Sequence, residues 1–270
     1  MDEERSIAVS PRHRVMLATE LYLLVEKPPR QDFVVRTLAR REANGLPLMN
    51  AELVIASAET LKSHPAADTY PLHFRKTYFP GRMYGDPRDE FEHHLLASRL
   101  TSAIPPPIGH EPNIFRSCLI PGQPYDRLSP FGRDPPESNI AVAENLPLAT
   151  AAGLWRLGEE TLAQLTALHE GGMAHGDAEL HNVIVCPAPL QTVLIDFEAA
   201  VRRDALPPPD WETRCQLDLE PLLRQAVYLQ CALGRQSSPL GELAFSRLDS
   251  LFKATAPERF RHAIEEQGKA

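Results

Sequence analysis

Eight residues between a helix and a pair of β-prone runs constrain this chain most: His175-Gly176-Asp177-Ala178-Glu179-Leu180-His181-Asn182. Before them, Leu154, Leu157, Leu162, Leu165 and Leu168 recur at helical spacing, predicting a helix over residues 152–169 that stops at Gly171-Gly172. After them, NVIV and TVLIDF are apolar runs joined by the turn-like CPAPLQ, the pattern of a hairpin. A polar loop on a helix end therefore carries Asp177 and Asn182, while the returning strand ends in Ile195-Asp196. Two carboxylates and an amide oxygen brought together this way suit a hard cation such as Mg2+, which prefers oxygen ligands and keeps several waters. Bridging the phosphates of a nucleotide is the common use of such a site.

The rest of the chain is punctuated by proline. Its 26 prolines gather in clusters around Pro28-Pro29, Pro105 to Pro107, Pro121 to Pro136 and Pro207 to Pro209, where neither helix interiors nor central strands can continue. Between the clusters, residues 12–25 and 32–42 predict two helices, the second with a basic face in RTLARRE read as a solvated surface. AELVIAS, PLHFRKTYF and IFRSCLI predict strands. Asp86-Pro87 opens a helix over residues 88–100 with Phe91, Leu95, Leu96 and Leu100 on one stripe. A proline-rich connection spans residues 124–147, and further helices are expected over 217–233 and 246–266. Strands in the first half and helices in the second predict an α+β layout with two lobes. The division expected is a helical extension over residues 1–45, a smaller β-rich unit over 46–122 and a mainly helical unit over 123–270.

Composition narrows the class of protein. At 43% hydrophobic and 24% charged residues, the chain has the make-up of a globular protein rather than a disordered one. A net charge of -8 argues against a nucleic-acid binder, which needs a basic footprint. The cysteines, Cys118, Cys186, Cys215 and Cys231, are scattered without a CxxC pair, which fits buried thiols in a reducing cytoplasm. No apolar run approaches the roughly 18–20 residues that span a bilayer. The start, MDEERSIAVSPRH, lacks the basic and apolar regions of a secretory signal. His169, His175 and His181 do not fall at metal-binding intervals. They read as a helix-end residue, a loop buttress and a solvent-facing residue.

HGD-x-x-x-x-N, a hairpin and then Asp196-Phe197-Glu198 together resemble the catalytic and metal-binding loops of the protein-kinase-like superfamily. The style is closest to aminoglycoside phosphotransferases and lipopolysaccharide-core sugar kinases. The resemblance implies a bilobal kinase-like fold and an ATP- and Mg2+-dependent transfer of phosphate to a hydroxyl. It makes Asp177 the residue that orients or deprotonates the acceptor, and Asn182 and Asp196 the metal ligands. His175 and Phe197 become structural supports. Lys76 in HFRK then holds the nucleotide phosphates, with Arg75 as its nearest rival. Glu92 pairs with Lys76, and Glu90 is the competing carboxylate. Leu119, Ile120 and Gly122 border the adenine.

Three departures from that pattern bear on the substrate. Ile55-Ala56-Ser57-Ala58 stands where a glycine-rich loop is expected, Glu198 replaces a glycine after Asp196-Phe197, and little chain separates Asp196 from Asp218, the expected anchor on the next large helix. Gly176 also replaces the arginine that reads phosphorylated activation loops in regulated protein kinases. Apart from the missing glycine loop, these departures favour a small-molecule or glycosidic acceptor. An atypical protein kinase modifying one partner protein, and a nucleotide-binding pseudokinase scaffold, are the alternatives. Glu179 either meets a cationic substrate or faces solvent. The acceptor and the oligomeric state are not legible in the sequence.

Overall fold

The computed structural model describes residues 28–69, 72–79, 85–120, 122–128, 151–187, 189–233 and 237–255. The helix expected over residues 12–25, most of the proline-rich connection and the helix expected beyond residue 255 lie outside them. The chain opens with β1 (Phe33–Ala43) and β2 (Leu46–Ile55), then two short helices, α1 (Ala58–Ser63) and α2 (Ala66–Thr69), and β3 (Leu72–Tyr78). Helix α3 (Pro87–Leu100) precedes the hairpin β4 (Pro107–Glu111) and β5 (Ile114–Cys118). After β6 (Gln123–Pro124) and α4 (Tyr125–Leu128) come α5 (Ala151–Glu170), β7 (Met173–Ala174), β8 (Val183–Pro187), β9 (Leu190–Leu194) and β10 (Val201–Arg202). Two long helices, α6 (Pro208–Leu233) and α7 (Pro239–Thr255), complete the described chain. The fold is α+β: a five-stranded sheet in the order β1-β2-β3-β5-β4, antiparallel at every pairing, followed by a mainly helical part.

The expectation of a helix over residues 32–42 is overturned. FVVRTLARREA is strand β1, paired with β2 from Phe33↔Ile55 to Ala43↔Leu46. The cause is local. Asn44 and Gly45 both adopt positive φ, 53° and 73°, which matches a tight hairpin turn to the twist of its strands. β-branched Val34, Val35 and Thr37 suit the pleated surface that this turn creates. The sheet therefore begins upstream of residue 46, inside the segment assigned above to an extension. Ile55, Ala56 and Ser57 do not form a loop over a ligand. They lead into α1, where the Ser57 hydroxyl accepts from the Thr60 amide as an N-cap.

The other expected elements differ mainly in extent. The expected helix over 88–100 is α3, opened by Pro87 behind the N-cap Asp86, whose carboxylate accepts from the Arg88 amide. The helix expected from Leu217 starts at Pro208, and the one expected from Ser246 starts at Pro239. The hairpin forms as β8 and β9, in register from Val183↔Leu194 to Pro187↔Leu190. The largest core gathers leucines of α5 with Leu222, Leu223 and Leu229 of α6 and Leu240 of α7, and it reaches Val183, Leu194 and Phe197. Burial on this scale, at about 25 cal/mol per Å² of apolar surface, makes the helical part a stiff base for the loops on it. Among the described residues no helix is long and apolar enough to cross a membrane.

Candidate functional site

Strand alternation sends Lys76 and its neighbour Arg75 to opposite faces of the sheet, and their partners separate their roles. Arg75 meets Glu52 at 2.6 Å and Asp32 at 3.2 Å, a structural ion-pair group shared with buried Arg116. Lys76 is 3% exposed and sits against a cavity of about 560 Å³. Its Nζ donates to Glu90 at 2.8 Å, Asp196 at 2.5 Å and Glu198 at 3.1 Å. Burial by itself pulls the Lys76 pKa down, but these carboxylates outweigh it and raise the ammonium above its ordinary value. Lys76 is therefore a fixed positive charge at the junction of sheet, helix and hairpin.

Glu90, and not Glu92, is the helical partner. Glu90 is 1% exposed and also accepts the Tyr78 hydroxyl, while Glu92 forms an exposed pair with Arg88 one turn away. Two residues of helix turn the chain by about 200°, so Glu92 points away, bordering a second cavity behind α3. Of the apolar stripe, Phe91, Leu96 and Leu100 pack half-buried against the cores, while the fully buried positions of α3 are Pro87, Glu90, His94 and Ala97. Polar side chains line these positions with partners of their own: Glu90 has Lys76, and His94 Nε2 has the Pro105 carbonyl at 3.0 Å, while the buried His94 Nδ1 has no hydrogen-bond partner. Burial drives the Glu90 carboxyl up to about 7, against the pull of Lys76. It drives the His94 imidazole down to about 4, so that ring is neutral near pH 7.

Asp177 and Asn182 belong to the loop between β7 and β8. The Asn182 amide donates to the Asp177 carbonyl at 2.9 Å and to Asp177 Oδ2 at 3.1 Å. This fixes the Asp177 side chain and leaves Asn182 Oδ1 as the amide atom able to face a cation. The loop is held from below by Asp218 on α6, which is 2% exposed. Its two oxygens accept the backbone amides of His175 at 2.6 Å and Gly176 at 2.8 Å, and the His169 ring lies 3.0 Å away. Gly176 has φ of 84°, and a Cβ there would lie 1.9 Å from the Ala199 carbonyl oxygen, so only glycine fits.

His175 ties this loop to the second one. Its Nε2 lies 3.0 Å from the Ile195 carbonyl, which can only accept, and its Nδ1 takes the Asp177 amide at 3.3 Å. Burial lowers the His175 pKa despite the nearby carboxylates, in keeping with this neutral, doubly used ring. Phe197, fully buried, packs against the rings of His175 and His94 with centroids 4.7 and 5.1 Å apart. Above it Asp196 adopts a left-handed backbone with φ of 68°, costly for a residue with a Cβ. That conformation turns its carboxylate to Lys76. Burial alone would raise the Asp196 pKa, but Lys76 prevails and lowers it, so Asp196 is ionised near pH 7.

Lys76, Glu90, Asn182 and Asp196 all border the same cavity, as do Leu119, Ile120 and Gly122, while Asp177 is not among its lining residues. Apolar walls from Leu38, Met49, Ala51, Phe115 and Ile184 complete it. Such a cavity, apolar over most of its surface and carrying Arg41, Lys76, Glu90, Asp196, Asp126 and Arg127 in its wall, can take a flat apolar ring and hold an anionic tail. His181, on the exposed side of the loop, also borders it, and Glu179 pairs with Arg224 at 3.6 Å. Among the described residues no three His, Cys, Asp or Glu side chains converge as a metal site. A cation here would take Asn182 and Asp196 as its protein donors and fill the remainder from ligand oxygens and water. Sequence reasoning missed Tyr78, Arg41 and the position of Glu198. Tyr78 lies two residues after Lys76 on a strand the sequence predicted, so alternation alone puts it on the same face, whereas Arg41 is recoverable only once β1 is recognised from Asn44-Gly45. No protein-family model matches the chain, and no curated protein does either.

Proposed function

We propose that this chain is an ATP- and Mg2+-dependent phosphotransferase of the protein-kinase-like fold, acting on a hydroxyl of a small-molecule or glycosidic acceptor. The sheet with α3 is its smaller lobe, the helical part its larger one, and the 560 Å³ cavity lies between them. One observation carries this reading: Lys76 on the sheet meets Glu90 on α3 and Asp196 after the hairpin, and Asn182, which borders the same cavity, holds Asp177. This is the set that phosphoryl transfer requires, since the reaction asks for positioning and charge neutralisation and little covalent help.

Each residue then has a defined task. Lys76 is kept charged and placed for phosphate oxygens. Asn182 Oδ1 and Asp196 fit Mg2+, which supplies neutralisation of phosphate charge when bound. Asp177 orients the acceptor hydroxyl and takes its proton. Asn182 occupies Oδ2 of that carboxylate, leaving Oδ1 for the acceptor. The apolar wall that includes Leu119 and Ile120 takes the base. A small acceptor is favoured because only residues 197–207 separate Asp196 from α6, and they are used by short 3-10 turns and by β10 pairing with β7. That span leaves no platform on which a peptide could lie.

Thermal stability with ATP and Mg2+, added separately and together, tests the reading. A stabilisation that needs both ligands and disappears in Asp196→Asn supports it, and an acceptor screen of sugars, aminoglycosides and lysate proteins follows. A melting curve indifferent to ATP in every condition overturns it and leaves a scaffold that binds a partner.

A further inference from the structure

One carboxylate next to the cavity is held between two of the cations that border it. Glu198 follows Asp196 by two residues, on the 3-10 turn Phe197–Ala199. Its Oε2 accepts from Lys76 at 3.1 Å and from the Tyr78 hydroxyl at 2.9 Å, while Oε1 accepts from Arg41 at 3.3 Å. The placement of Arg41 follows from strand register. Ala39 pairs with Ala51 and Ala51 with Lys76, while Arg41 pairs with Met49 and Met49 with Tyr78. Residues two apart on a strand share a face, so Arg41 and Lys76 look into the same cavity from strands two apart. Both border it.

An ammonium, a guanidinium and a phenol converging on two oxygens form the donor set that a phosphate group prefers. The neighbouring hairpin turn, Asn44-Gly45, has no run of glycines whose amides could cradle a phosphate, so positive charge there must come from side chains. Arg41 is suited to supply it. Its side chain is 36% exposed and reachable from solvent, whereas the Lys76 side chain is buried and shared with Glu90 and Asp196.

We infer that Arg41 and Lys76 form a clamp for the polyphosphate of the phosphoryl donor, and that the Glu198 carboxylate occupies the clamp as an internal stand-in which the polyphosphate displaces. This rests on the phosphotransferase reading for the identity of the anion, and it adds the residue that substitutes for a glycine-rich loop. Affinity for the donor is then set against an intramolecular competitor. Arg41 acts on the phosphates and not on the base.

Calorimetric titration without divalent metal, using tripolyphosphate, ATP, AMP and adenosine as probes, tests the clamp. Arg41→Met weakens tripolyphosphate and ATP by about tenfold or more and leaves adenosine unchanged, as expected for loss of a charged hydrogen bond. Arg41→Lys keeps part of the affinity. Glu198→Gln binds tripolyphosphate more tightly than the wild type, and adding Arg41→Met removes that gain. Equal ATP affinity in wild type and Arg41→Met overturns the clamp while leaving nucleotide binding standing. So does weaker metal-free tripolyphosphate binding in Glu198→Gln, a variant that also decides the matter if Arg41→Met does not fold. A wild type that binds tripolyphosphate but gains nothing from adenosine keeps the clamp and removes the nucleotide reading.

Discussion

Replacing Glu90 and Glu92 separately by alanine distinguishes two faces of α3 by their energetics. Glu90 is 1% exposed and accepts two hydrogen bonds, from Lys76 at 2.8 Å and from the Tyr78 hydroxyl. Hydrogen bonds to charged groups contribute about 1.5–3 kcal/mol each. Two compensations reduce the sum. Lys76 keeps Asp196 and Glu198, and Tyr78 keeps Glu198, so neither is left unpaired. Removing a carboxyl whose own burial is unfavourable also returns some free energy. A net loss of about 2–4 kcal/mol follows, below the full cost of an orphaned buried charge. For a chain of this size that lowers the melting midpoint by roughly 4–7 °C. Glu92→Ala removes only an exposed pair with Arg88, so its midpoint stays with the wild type. Scanning calorimetry of the two variants beside the wild type gives the answer. Equal destabilisation by both, or a larger loss in Glu92→Ala, would refute the assignment of the buried face and of the Lys76 partner.

The pH dependence of stability gives a second test. The folded Glu90 carboxyl, raised to about 7, holds its proton where the unfolded one, at 4.5, has lost it. Its contribution is therefore full below pH 4.5 and is lost as pH rises toward 7, and Glu90→Gln lacks this slope in urea unfolding at about pH 5 and about pH 8. Asp218→Ala strands the amides of His175 and Gly176, at about 1–3 kcal/mol each, and urea titration should show a loss of about 3–5 kcal/mol. Stability unchanged by Asp218→Ala would mean that α6 does not anchor the loop. Gly176→Ala meets both the positive φ and the Ala199 carbonyl, so chemical denaturation should show a loss of at least about 2 kcal/mol. Asp177→Asn keeps the bond to Asn182 through its oxygen, so phosphate transfer should fall by orders of magnitude while the melting midpoint barely moves.

Local signals in the sequence were enough for the elements around Asp177 and Asp196. The leucine period of α5, the hairpin of β8 and β9 and the stop at Gly171-Gly172 all depend on neighbours a few residues away, and all form as the pattern implies. Asn44-Gly45 is a hairpin signal of the same local kind, and it outweighs the helical look of RTLARRE. The rest was decided in three dimensions. Whether Glu90 or Glu92 faces inward depends on a lysine 14 residues before Glu90 on another element, and the apolar stripe of α3 does not report which carboxylate that lysine meets. Arg41, Tyr78 and Glu198 lie on β1, β3 and a turn up to 157 residues apart, and only the register of the sheet against the hairpin brings them together. Hydrophobic periodicity reports which side of one element is apolar. A charged site inside the protein is made of partners from several elements, and their matching exists only once the chain has closed on itself.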